Sequence, residues 1–130
     1  MSIFQRLVHV TLLSVLTTLW LPGAAEAAES TGNPGYVSDL VLNSSSSEHF
    51  GEYQGSVFLQ EGDVANALKR EYRWGGTVCG NYLPGAEQIR FLFEVMRAGH
   101  SLQVVPSYKA GVAGARCLVG VKIRLRPAPA

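Results

Sequence analysis

The chain has 130 residues, 47% of them hydrophobic and 16% charged, and a formal net charge of +1. That length holds one domain around one core. The apolar share excludes a disordered chain, and the balanced charge excludes the strongly basic footprint of a typical nucleic-acid binder.

The amino terminus reads as a cleavable secretory signal peptide over residues 1–27. Arg6 gives a positive head, 10–21 is apolar apart from Thr11, Ser14, Thr17 and Thr18, and Pro22-Gly23 breaks the helix. Small residues then flank Glu26, which places cleavage after Ala27 or Ala28. The twelve residues 10–21 fall short of the roughly 20 that a spanning helix needs, so an exported protein with no membrane contact after cleavage is expected. Periplasm is the first expectation for its compartment and the extracellular medium the second. The next segment, 28–35, is small and polar and reads as a flexible leader.

A single domain is expected over 36–126, followed by a short tail at 127–130. A first strand covers 36–42, with Tyr36, Leu40 and Leu42 on one face, and a serine-rich loop follows. A second strand covers 53–60, with Tyr53, Val57 and Leu59 together. Asp63 then caps a short helix carrying Val64, Ala67, Leu68 and Tyr72 at helical spacing. A third strand is read over 73–80, through Trp74, Val78 and Cys79. The clearest element is a helix over 86–98 beginning at Ala86: Ile89, Leu92, Phe93 and Met96 draw one apolar stripe, and Arg90 and Glu94 can pair on the opposite face. Pro84-Gly85 precedes it and Gly99 ends it. A strand over 101–108 is placed at a sheet edge because Pro106 cannot donate to a ladder. After a glycine-rich turn, Arg116 begins the strand with the strongest alternation: Cys117, Val119, Val121, Ile123 and Leu125 one way, Leu118, Gly120, Lys122, Arg124 and Arg126 the other. The expected class is α+β, a small antiparallel sheet with the 86–98 helix packed on one face.

Two cysteines in an exported chain form one disulfide, Cys79 to Cys117. No CxxC spacing marks a redox or metal pair, and no cofactor motif is present. Glu48, His49 and Glu52 suit a metal-assisted hydrolase by residue type, but serines and glycine surround them and His100 is the one further histidine of the mature chain. His100 itself suits a capping role at the end of the long helix. Charge is segregated: 29–68 holds six acids and no Lys or Arg, whereas 95–130 holds six bases and no acid. Lys122, Arg124 and Arg126 on the last strand are therefore a candidate surface for a partner or an anionic polymer. Tyr82 and Trp74, beside the Gly75-Gly76 pair, are the candidate aromatic platform. The reading these features favour is a non-enzymatic exported module that binds a protein, peptide or glycan, without metal, cofactor or nucleic acid; a small hydrolase using His49 and Glu52 is the alternative.

Overall fold

The structure is a computed structural model and describes residues 27–128, so the expected signal segment lies, but for Ala27, outside the described residues. Among the described residues six strands form one sheet: β1 (Glu29–Thr31), β2 (Tyr36–Leu42), β3 (Gly55–Gln60), β4 (Lys69–Trp74), β5 (Leu102–Ala110) and β6 (Arg116–Leu125). Helices α1 (Gly76–Cys79) and α2 (Ala86–Arg97) lie between β4 and β5. The strand order is β1-β5-β6-β4-β3-β2. Neighbours are antiparallel except β4 and β6, which run parallel, so the α+β class holds and the sheet is mixed.

The two ends of that order are one stretch of chain. Glu29–Thr31 pairs with β5, the Gly32 N–H donates to the Pro106 carbonyl, and Gly35 exchanges both backbone bonds with Val104. From Tyr36 onward the same stretch pairs with β3. Residues 29–42 therefore act as one bent strand that closes the sheet into a partly open barrel of five strands. Counted this way the order is 1-2-3-5-4 with the main helix between the third and fourth strands, the arrangement of an OB-type barrel. Closure corrects two expectations. Part of the supposed flexible leader is strand, because β5 satisfies its backbone groups. The Pro106 strand is interior rather than at an edge. The Pro106 carbonyl accepts the Gly32 N–H, so its nitrogen faces the same way, at the point where β1 ends and its ladder with β5 stops.

The core consists of Val37, Val57, Leu59, Tyr72, Trp74, Val104 and Leu118 from the barrel, with Leu92 and Val95 from α2. The helical stripe is thus rotated from the expected one. Leu92 is buried as expected and Ile89 and Met96 pack partly, but Val95 takes the place expected of Phe93, which is 46% exposed. Gln88 Oε1 accepts the Gly85 N–H at 2.9 Å and caps the first turn. Arg90 pairs with Glu87 at 2.9 Å and Arg97 with Glu94 at 3.7 Å, so the expected Arg90–Glu94 pair gives way to i,i+3 pairs.

Between Gln60 and Trp74 the chain departs from its local pattern. The helix expected after Asp63 is replaced by turns and then β4, whose six residues all pair with β3. Tyr72 and Trp74, two apart, both point into the barrel, and this period-two burial outweighs the helical spacing of Val64, Ala67 and Leu68. The strand expected over 73–80 stops at Trp74 because Gly75 (φ 68) and Gly76 (φ 67) turn the chain into α1. A Cβ at Gly76 would collide with the Glu52 carbonyl, since loop 43–54 docks there: Thr77 and Val78 donate their N–H groups to the carbonyls of Gly51 (2.9 Å) and Glu52 (3.1 Å).

At the outer edge of β2 the Ser38 hydroxyl donates to Asp39 Oδ2 at 2.8 Å, and Lys69 lies 3.4 Å from the same oxygen. The serine bond first, and the ammonium after it, hold the Asp39 carboxyl below its ordinary 3.8. A depressed folded-state value stabilises above the unfolded pKa and is lost as pH falls through the folded one; at this exposed site the contribution is small. Ser38→Ala should raise the Asp39 midpoint toward 3.8 in an NMR titration, and an unmoved midpoint would assign the effect to Lys69 instead.

Candidate functional site

The site is built on β6. Its register with β5 shifts between Ser107 and Tyr108, which leaves Val119 without a partner opposite. The bulge exchanges the faces of the strand. Leu118 and Val121 turn to the barrel core, whereas Cys117 joins Val78 and Cys79 in a second cluster outside it. Cys117 and Val121 therefore do not share a face as alternation implied. The expected disulfide, Cys79–Cys117, is present with its Cα atoms 5.4 Å apart, and it ties α1 to the start of β6.

Beyond that tie, β6 loses its second neighbour. β4 and β6 meet at one register position, Arg73↔Cys117; β4 ends at Trp74 and the chain turns away. From Val119 to Leu125 the strand has β5 on one side and, among the described residues, no strand on the other. The Arg126 N–H donates to the Ser101 carbonyl at 3.0 Å, which sets the phase of the ladder. Arg124 and Lys122 then bond inward to β5, and the N–H and C=O groups of Val121, Ile123 and Leu125 point to the open edge. Val104, the register partner of Ile123, confirms the phase, since both its backbone groups turn away from β6 to Gly35.

Beside this edge lies a slot of about 160 Å³, walled by Tyr82, Leu83, Gln88, Leu92, Leu118 and Val121. Of its walls Leu83 is 53% exposed; further along β6 Leu125 is 77% exposed, and Phe91, one turn from Gln88 on α2, is 52% exposed.

The three basic residues expected to form one surface divide. Lys122 is exposed and has no ion pair among the described residues. Arg124 donates from Nε to Gln103 Oε1 at 3.1 Å, and Gln103 in turn donates to the Tyr36 hydroxyl at 3.3 Å. Arg126 pairs with Asp63, whose other oxygen lies 3.9 Å from His100 Nδ1, so its charge is spent internally. The His100 ring lies tilted against Tyr36, with ring centroids 4.4 Å apart. Of the two aromatic candidates, Tyr82 lines the slot. Trp74 is 2% exposed and belongs to the core, so its place as a binding residue is withdrawn.

A second cleft, about 330 Å³, lies between loop 43–54 and the β5–β6 hairpin, lined by Glu52, Glu71, Arg73 and Arg116 among others. Arg73 sits 3.1 Å from Glu52 and 3.0 Å from Glu71, with its guanidinium 4.3 Å from the Tyr53 ring centroid. The Glu71 hydrogen bond raises the Arg73 pKa above its ordinary range. With Glu52 committed there, His49 faces Tyr53 and lies 3.9 Å from Glu48, and no group of three potential metal-ligating side chains occurs among the described residues.

No family model, curated protein or solved structure matches the chain. The site therefore stands on its own geometry. That geometry predicts a hydrogen-exchange pattern alternating along one strand, with fast exchange at Val121, Ile123 and Leu125 and slow exchange at Lys122 and Arg124. Uniform protection from Val121 to Leu125, measured by NMR, would show the edge to be covered.

Proposed function

We propose that the protein is an exported, non-enzymatic binding module that takes an extended segment of a partner polypeptide as an added strand on β6. The observation that carries this reading is the row of unpaired backbone groups at Val121, Ile123 and Leu125 beside an apolar slot. These groups repeat every two residues, about 6.7 Å, the period at which another β-strand offers its own N–H and C=O groups. A glycan presents hydroxyls without that period, so a polypeptide fits better than a sugar. The slot supplies what backbone pairing lacks, a pocket for one apolar side chain.

Two further observations support the reading. The Cys79–Cys117 disulfide suits an oxidising compartment, and no helix among the described residues is long and apolar enough to cross a membrane; with the signal segment, these favour the periplasm. The face that OB-type barrels commonly use, their second and third strands with adjacent loops, here carries the self-neutralised Glu52–Arg73–Glu71 cluster. Barrel type by itself fixes no function.

The test is selection of binders from a displayed peptide library unbiased in charge, followed by hydrogen exchange on the complex. Selected peptides should slow exchange at Val121, Ile123 and Leu125 and should not bind an Ile123→Pro variant, which loses one edge donor but no bond to β5. Binders that leave those three amides exchanging at the unbound rate, or that bind Ile123→Pro equally, would refute strand addition.

A further inference from the structure

We infer that the segment accepted by β6 alternates apolar and acidic residues; this rests on the strand-addition reading and names its partner's chemistry. Side chains of an added strand alternate between the two faces of the sheet. Those on the barrel side meet Val121 and the slot walls Leu83 and Leu118. Those on the outer side fall beside Lys122 and Arg124, which alternate with the edge residues. Both are exposed, and residues 95–130 contain no Asp or Glu to answer them. Lys122 has no ion pair among the described residues, and Arg124 is held by the neutral Gln103. Carboxylates at alternate positions of the incoming segment satisfy both cations across the strand.

The same charges argue against a second copy as occupant. A two-fold pairing of β6 with itself about Ile123 would set Lys122 opposite the copy's Arg124, a like-charge contact at each end of the pair. Basic side chains beside a free edge are a common device for preventing self-association. Here they also select the sign of the partner.

Three short synthetic peptides alternating Val with Glu, Ser or Lys, titrated against the intact oxidised protein, test this. The Val–Glu peptide should bind about tenfold more tightly than Val–Ser at low salt and lose that margin at high salt, while Val–Lys should bind weakest. The Lys122→Glu/Arg124→Glu double variant should reverse the order. Equal binding of Val–Glu and Val–Ser, with edge amides protected in both, overturns the acidic preference and leaves strand addition standing. Failure of all three to protect Val121, Ile123 and Leu125 overturns both. An order unchanged in the double variant places the preference elsewhere and also overturns the inference.

Discussion

Reducing the Cys79–Cys117 bond should destabilise the domain by about 4 kcal/mol, the loop-closure entropy of its 38-residue separation. For a domain of this size that lowers the thermal midpoint by on the order of 20 °C. Few other contacts hold the region. The cluster outside the barrel consists of Val78, Cys79 and Cys117, with only Tyr53, Tyr82 and Ala115 packed partly against it. One register position joins β4 to β6. The β5–β6 ladder does not depend on the sulfurs, so the expected damage is local: α1 and the wall that carries Tyr82 loosen from β6. Thermal unfolding with and without reductant, alongside a Cys79→Ser/Cys117→Ser variant, gives the size. A fall of only a few degrees would mean that the reduced, unfolded chain stays restricted around this loop, so that the crosslink removes little of its entropy. Because the slot lies between that wall and β6, the reduced protein should also bind edge peptides more weakly, which links function to an oxidising compartment.

Elements whose pattern is local were legible in the sequence. The 86–98 helix was readable because one long amphipathic run is punctuated at both ends, and β2 lies at 36–42 as read, but not with the expected face. A bulge between Val37 and Asp39 puts Val37 in the core with Leu40 beside it, while Leu42 is 59% exposed. The same local reading failed where a residue's partner is distant. Val64, Ala67, Leu68 and Tyr72 satisfy a helical period, yet Tyr72 belongs with Trp74 in a strand that pairs with β3. The charged Lys69-Arg70-Glu71 stretch hid that strand, because its weak strand propensity is overridden by barrel pairing. The extra residue at Val119 is visible only against β5, so the true facing of Cys117 could not be read from alternation. Of the candidate site, Tyr82, Lys122 and Arg124 were found through exposure-seeking chemistry, and they flank the slot and edge. The edge amides were missed because an absent neighbour leaves no mark on the strand that lacks it. The one available signal was Gly75-Gly76, which ends β4 and so denies β6 its partner.

Trp74 and Tyr82, adjacent in the expected aromatic platform, should respond in opposite ways to truncation. The Trp74 indole is buried against Gly55, where an added Cβ would collide with the ring. The glycine is therefore the space that the indole fills. Trp74→Ala leaves a cavity at the end of the barrel and should cost about 3–5 kcal/mol, measured by denaturant unfolding. Gly55→Ala should be destabilising too, by overpacking of the same contact. Tyr82 is half-buried, and its ring makes a long contact with the Lys109 ammonium at 5.5 Å, worth under about 1 kcal/mol at such a site. Its backbone carbonyl, which accepts the Gly75 N–H at 2.9 Å, survives the substitution. Tyr82→Ala should therefore fold nearly as well as the parent yet lose several-fold in affinity for edge peptides, because it removes one wall of the slot. Unchanged affinity in Tyr82→Ala would take the ring out of the binding surface. A Trp74→Ala variant of near-parent stability would mean that the barrel does not close around the indole, and the open end of β6 would then have to be derived from a different packing.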